Sequence, residues 1–164
     1  MKNSEFNVRL ATAQDMNEIY MMGFDVWADD ESAVEYLKGC CSSEKYKRGN
    51  WYVLNAPSGE RLSSLITYSF DSKTAGIGSI ATPPLMRRKG DATCLIKTVL
   101  ECLQRDGVNT VFLYSDINPY LYESLGFQAL PKNFQKYEKS LCMVWGKDMH
   151  KRLSAHEFQP PDYF

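Results

Sequence analysis

Between Thr82 and Ala92 the chain reads Thr-Pro-Pro-Leu-Met-Arg-Arg-Lys-Gly-Asp-Ala. The stretch follows a strand-like run, Ile77-Gly-Ser-Ile-Ala81, and opens a helix. In that helix Ala92, Leu95, Ile96, Val99, Leu100 and Leu103 recur at helical spacing and form one apolar stripe. Gly107 ends it in the manner of a glycine just past the last turn. A basic, glycine-containing turn between a strand and a helix N-terminus suits a phosphate. Successive backbone N–H groups point into the turn, and the helix dipole adds about half a positive charge there. Gly90 lets the backbone approach an anion without a Cβ in the way.

Outward from this point the chain reads as an alternation of short elements. Asn7 to Leu10 is a first strand. Thr12 lies three residues before Asp15, an N-cap with a carboxylate in the first turn. From Gln14 to Trp27 the positions Met16, Ile19, Tyr20, Gly23, Phe24 and Trp27 predict one helix. A second helix is expected from Glu31 to about Cys41, with Ala33, Val34, Tyr36, Leu37 and Cys40 inward. Strands follow at Trp51–Asn55, Leu62–Phe70 and Ala75–Thr82, joined by turns at Pro57–Glu60 and Asp71–Thr74. Gly76 and Gly78 inside the third of these suggest a bulge or a close backbone contact. Beyond the long helix come a strand at Asn109–Tyr114, a short helix at Pro119–Leu125 stopped by Gly126, and strands at Phe127–Leu130 and Leu141–Trp145. The tail from Lys147 holds a helical turn or two and is otherwise irregular, docked or an interaction arm.

The chain has 164 residues, 44% hydrophobic and 24% charged, which suits one soluble domain with a substantial core. We expect that domain over residues 1–146, with 147–164 as a tail of the same domain. The net charge of −1 gives no electrostatic case for nucleic acid or an anionic membrane. No run of about 18 apolar residues exists, and Met1 to Asn7 lacks the apolar core of a signal peptide, so a cytoplasmic location is expected. The five cysteines, Cys40, Cys41, Cys94, Cys102 and Cys142, have no zinc-ligand spacing. His150 and His156 fit no metal motif, so no metal is expected.

The pattern Pro84-x-x-Arg87-x-x-Gly90-x-Ala92 resembles the pyrophosphate loop of the GNAT superfamily of acetyl-CoA-dependent N-acetyltransferases, written Arg/Gln-x-x-Gly-x-Gly/Ala. It does not fit Gly-x-x-x-x-Gly-Lys-Ser/Thr or Gly-x-Gly-x-x-Gly. Downstream, Asn118-Pro-Tyr-Leu-Tyr122-Glu-Ser-Leu-Gly126-Phe127 resembles the second signature of that family, a short helix carrying Tyr-x-x-x-Gly-Phe. The element order β-α-α-β-β-β-α-β-α-β-β resembles the GNAT fold from about Asn7 to Trp145. The resemblance implies an α+β (three-layer α/β) domain: a mixed, mostly antiparallel, twisted sheet of about seven strands flanked by about four helices.

It also implies a chemistry. Acetyl-CoA is the cosubstrate, and the acceptor is a primary amine of a small molecule or a peptide, attacking directly in a ternary complex. The pyrophosphate rests on Arg87, Arg88, Lys89, Gly90, Asp91 and Ala92. The main chain of Ile80, Ala81 and Thr82 binds the pantetheine amides and polarises the thioester carbonyl. Tyr122 protonates the departing thiolate, and Asn118 resembles the family's helix-capping asparagine that contacts the cofactor, although it lies closer to the tyrosine than is usual. Homodimers occur in the family.

Two departures stand out. Many family members carry a glutamate on the fourth strand, and Ala75 to Thr82 holds none. A lysine-like amine costs roughly 5 kcal/mol to deprotonate at pH 7, so a base is needed; Asp25, Asp29, Asp30, Glu31, Asp71 and Asp116 are candidates at element ends. Asp91 within the loop repels a pyrophosphate if turned inward, and suits the first turn of a helix if turned out. Bland readings stand beside these. Arg87 to Lys89 is also an ordinary solvated turn, Tyr122 a packed aromatic, and Tyr20, Phe24, Trp27 and Trp51 core residues. A non-catalytic module that binds coenzyme A or a protein partner is the alternative to an enzyme.

Overall fold

A computed structural model describes residues 5–155 and 158–164, without the side chain of His150. Met1 to Ser4, read above for a leader, and His156, read for a metal, lie outside the described residues. Seven strands form one sheet: β1 (Asn7–Leu10), β2 (Asn50–Asn55), β3 (Arg61–Ser69), β4 (Thr74–Ala81), β5 (Thr110–Ser115), β6 (Gln128–Ala129) and β7 (Leu141–Gly146), in the order β1-β2-β3-β4-β5-β7-β6. β4 and β5 are parallel, while β1–β2, β2–β3, β5–β7 and β6–β7 are antiparallel. Helices flank the sheet. The described residues form seven α-helices where the sequence suggests about four, because one predicted helix is broken and two short ones are added.

Two compact units divide the chain: Met1–Tyr68 with Ser79–Val99, and Ser69–Gly78 with Leu100–Phe164. In the first unit the helix expected over 14–27 is a 3-10 turn, Ala13–Asp15, then α1 (Met16–Met21) and α2 (Phe24–Trp27). The break falls at Gly23, with φ −101° and ψ 5°. The Trp27 ring folds back over it, so a Cβ at Gly23 would lie 2.1 Å from that ring. Helical spacing runs through the break and hides it.

α3 (Ala33–Ser42) starts at Ser32, whose Oγ accepts the Glu35 N–H at 3.3 Å while the Glu35 carboxylate accepts the Ser32 N–H at 3.0 Å. This reciprocal cap satisfies two otherwise orphaned donors. Tyr36 and Cys40 are buried, Leu37 is half-buried, and Ala33 and Val34 are exposed, contrary to the expected inward face. Val34 lies two residues before Tyr36, some 200° round the helix, and so points away from the packed side. α4 (Glu44–Arg48) was not expected; Ser43 Oγ caps it by accepting the Tyr46 N–H at 3.3 Å. It carries the Tyr46 ring onto Tyr20 and Trp51, with centroids 5.8 and 5.1 Å apart.

One charge is buried in this unit. Asp15 is 1% exposed and receives Arg9 at 2.7 and 2.9 Å and Arg61 at 2.6 Å. The Thr12 N–H adds a bond of 2.7 Å. Arg9 first, then the Thr12 amide and Arg61, outweigh burial and hold the carboxyl well below the usual carboxylate range.

In the second unit Thr74, Ala75 and Gly76 pair with Thr110, Val111 and Phe112. β5 is buried along most of its length. Phe112, Leu130, Cys142, Val144 and Met149 form a core cluster, and Tyr114, Phe134, Phe158 and Phe164 pack on it. The tail contributes α7 (Met149–Leu153) and then an irregular run. That run is held by the Tyr114 hydroxyl, which donates to the Pro161 carbonyl, and by Lys136, 2.9 Å from Asp162.

Candidate functional site

The basic turn lies in the first unit. Pro83 leaves β4 in an extended conformation, and Pro84–Met86 make one 3-10 turn closed by the Met86 N–H on the Pro83 carbonyl at 2.8 Å. Arg87 is extended, Arg88 has φ 65° and Gly90 has φ 87°. Two left-handed residues separated by one bend the backbone sharply just before the helix. A left-handed arginine is uncommon and carries strain of order 1 kcal/mol. Gly90 has no such cost, and nothing within 4 Å would meet a Cβ there; its backbone angle is what calls for glycine.

α5 (Asp91–Arg105) begins immediately afterwards, and its first closing bond runs from the Cys94 N–H to the Gly90 carbonyl at 3.0 Å. Among the described residues no hydrogen bond of normal geometry leads from the N–H groups of residues 87 to 93 to another atom of the chain. That is the set of orphan donors at a helix N-terminus extended backwards through the turn. Asp91 is the first helical residue, half-buried, where a carboxylate favours the dipole. Arg88 and Lys89 are exposed and form no salt bridge among the described residues. Arg87 differs: its Nη1 and Nη2 each donate to Asp25 at 2.8 Å, and its Nε donates to the Thr82 carbonyl at 2.9 Å. The bond to Asp25 raises the guanidinium's pKa, and the same bond lowers that of the Asp25 carboxyl.

Ile80 and Ala81 close β4 on the strand side of this turn, and Thr82 follows them. Ser63 Oγ donates to the Ala81 carbonyl at 2.8 Å and meets the Thr82 hydroxyl at 3.0 Å. The left-handed residue of β4 is neither Gly76 nor Gly78 but Ser79, with φ 45°. Gly76, in the second unit, has a packing reason instead. A Cβ there would lie 2.6 Å from the Phe164 ring and 2.9 Å from Phe70.

The tyrosine motif lies in the second unit. Asn118 Oδ1 accepts the Tyr120 N–H at 3.1 Å and so sets the start of α6 (Tyr120–Glu123). Gly126 has φ 95° and donates to the Glu123 carbonyl at 3.0 Å, and Phe127 donates to the Tyr122 carbonyl at 3.1 Å. This pair of bonds is the Schellman helix end, which is accompanied by an apolar contact between the same two positions. Here that contact is Tyr122 on Phe127, centroids 6.3 Å apart and edge to face. Tyr122 is 7% exposed. Burial, with a smaller contribution from Asp116, pushes its phenol up to about 12, so it holds its proton at neutral pH.

Of the six carboxylates read as candidate bases, three are engaged. Asp25 holds Arg87, Asp71 accepts the Lys73 N–H at 2.8 Å, and Asp116 accepts the hydroxyls of Ser140 and Tyr163. Tyr20 and Phe24 are half-buried and Trp51 is buried, but Trp27 is 40% exposed. Sequence reasoning missed Ser63 and the pairing of Asp25 with Arg87, which are 62 positions apart with no pattern to link them.

Among the described residues no helix is long and apolar enough to cross a membrane, and no group of three or more His, Cys, Asp or Glu could hold a metal ion. A family model described as an acetyltransferase (GNAT) domain matches residues 7–130. A search of the curated proteins found no significant match. Among solved structures the chain is similar to N-acetylglutamate synthase from Neisseria gonorrhoeae, complexed with coenzyme A and N-acetyl-glutamate (TM-score 0.66, 16% identity, 88% of this chain). It spans only 36% of that longer protein. It is also similar to the ribosomal-protein-S18-alanine N-acetyltransferase from Escherichia coli (TM-score 0.65, 20% identity, 87% of this chain and 94% of that one). A third is the PaiA N-acetyltransferase from Thermoplasma acidophilum in complex with coenzyme A (TM-score 0.68, 12% identity, 87% and 99%).

Proposed function

The chain belongs to the acetyltransferase (GNAT) domain family, and from that premise we propose that it is an N-acetyltransferase using acetyl-CoA to acetylate a primary amine of a small molecule or a peptide. One observation carries the reading: the run of backbone N–H groups at residues 87 to 93 with no acceptor in the chain. Seven consecutive donors at the start of a 15-residue helix suit a diphosphate, which offers many acceptor oxygens and two negative charges. The residues therefore fit the coenzyme. Bound there, acetyl-CoA supplies an activated acyl carbon and a thiolate leaving group.

The rest is the work of this chain's own groups. The amides of 87 to 92 hold the diphosphate, with Arg88 and Lys89 adding positive charge. Main-chain donors at Ile80 to Thr82 hold the pantetheine arm and polarise the thioester carbonyl. The neutral acceptor amine attacks the thioester carbon, a C–N bond forms as the C–S bond breaks, the proton shed by nitrogen passes to water, and the Tyr122 hydroxyl gives its proton to the sulfur and regains one from solvent. A phenol held up to about 12 is a donor fully protonated at neutral pH. Asn118 sets the helix that carries it.

Calorimetry with coenzyme A and acetyl-CoA, followed by a thiol-release assay against a panel of amines, tests the reading. Micromolar binding and turnover on one amine class are expected. Absence of binding to either compound overturns it. A second reading has its own support: β4 carries no acidic residue over Thr74–Ala81. A coenzyme A-binding module without catalysis follows if both compounds raise the melting temperature and no amine is acetylated.

A further inference from the structure

We infer that Asp25 is a positioning residue of the diphosphate cradle, acting through Arg87; the inference rests on the reading of residues 87 to 92 given above. An arginine at the mouth of an anion site is ordinarily read as a ligand for the anion. The geometry points elsewhere. Both terminal nitrogens of Arg87 are spent on one carboxylate, at 2.8 Å each, in the fork-to-fork arrangement that fixes a guanidinium in plane and direction. Its Nε reaches back 2.9 Å to the Thr82 carbonyl. One side chain thus ties the last residue before the turn to the first residue of the donor run, and α2 supplies the counter-charge that holds it. Arg87 stays extended as a result, and the chain enters the left-handed Arg88 from a fixed direction. The amides that follow inherit that direction.

Positioning by Asp25 and simple electrostatics predict opposite effects on binding. A carboxylate beside an anion site repels the anion, and its removal frees an arginine as well. On charge alone, Asp25→Asn tightens coenzyme A binding. If Asp25 positions the turn, the same substitution weakens it, because the donors no longer converge.

Calorimetric Kd values for coenzyme A are measured on the wild-type protein and on Asp25→Asn, Arg87→Gln, Arg87→Lys and the Asp25→Asn/Arg87→Gln double variant. Each single variant is expected to bind about tenfold more weakly. Arg87→Lys falls with the others because an ammonium keeps the charge and loses the fork. The double variant is expected to be no weaker than the worse single one, since both remove one interaction. The pair is solvent-exposed on both sides, 37% and 40%, so the melting temperature without ligand stays within about 2 °C of wild type while the ligand-induced rise shrinks. A tighter or unchanged Kd for Asp25→Asn overturns the inference, as does full binding by Arg87→Lys, or an affinity loss matched by an equal loss of unliganded stability. If Asp25→Asn does not fold, Asp25→Ala is measured in its place, with the same outcomes. No binding by the wild-type protein instead overturns the cradle, and this inference with it.

Discussion

The Tyr122 carbonyl accepts the Phe127 N–H at 3.1 Å, and the two rings meet edge to face across the same helix end. The spacing of tyrosine, glycine and phenylalanine in this segment therefore has a reason in the helix stop alone. Gly126 sits at its centre with φ 95°, and a Cβ there would lie 3.3 Å from Trp145. Gly126→Ala should cost about 1–2 kcal/mol, from left-handed strain and the tight contact together. Urea unfolding checks this, and a loss below about 0.5 kcal/mol shows that the stop is relaxed.

Tyr122→Phe separates structure from chemistry, because the ring contact survives and only the hydroxyl goes. Stability should change by less than about 1 kcal/mol, and kcat should fall by about 10²- to 10⁴-fold with coenzyme A affinity kept. Wild-type turnover in this variant would take the hydroxyl out of the mechanism.

The same phenol gives a pH signature. Its native pKa is raised to about 12 from an ordinary value near 10. The donor form is present below the native value and lost above it, so Tyr122 adds no descending limb to the kcat profile below about pH 11. Its stabilising contribution is complete below about pH 10 and fades as pH rises towards 12. Equilibrium unfolding between pH 9 and 12, wild type against Tyr122→Phe, should show the wild type losing its advantage over that window.

Asp15 is the stability counterpart at the acid end. Its carboxyl is depressed by Arg9, Thr12 and Arg61, so its contribution is present above the unfolded value near 4 and lost as pH falls through the lower native one. Asp15→Asn should cost about 3 kcal/mol at pH 7, toward the lower end for a buried pair because both guanidiniums reach water. It should also flatten the decline in stability below about pH 4. An unaltered acid limb in the variant removes Asp15 as its cause.

Gly76→Ala should destabilise by about 2 kcal/mol through overpacking against the Phe164 ring. Combined with Phe164→Ala the loss should be less than the sum of the two. Strict additivity in unfolding experiments shows that the ring is not what the methyl meets.

The parts of this fold that were legible in the sequence are those written in local patterns. The strand before the basic turn, the apolar stripe of α5, and the glycines at 90, 107 and 126 each state their conformation within a few residues. The rest depended on contacts across the chain. Gly23 looks like one more helical position until the Trp27 ring is seen above it. The left-handed residue of β4 is Ser79, which no propensity singles out, while Gly76 answers to a ring 88 positions away. Val34 is apolar and faces water, because helical spacing cannot say which of two apolar stripes is packed. Within the candidate site, the turn was readable from composition, but the partner of Arg87 was not. A salt bridge over 62 positions leaves no periodic trace.

The donor run at residues 87 to 93 belongs to the polypeptide backbone, which ordinary mutagenesis does not delete. An alanine scan through this segment would strip side chains and leave the amides in place, so away from Arg87 and Gly90 it would report little even if every one of those amides held a ligand. Changes that bend the chain, such as a β-branched residue at Gly90 or a proline within the run, would test the amides themselves. Amide-to-ester replacement by semisynthesis would probe them one atom at a time.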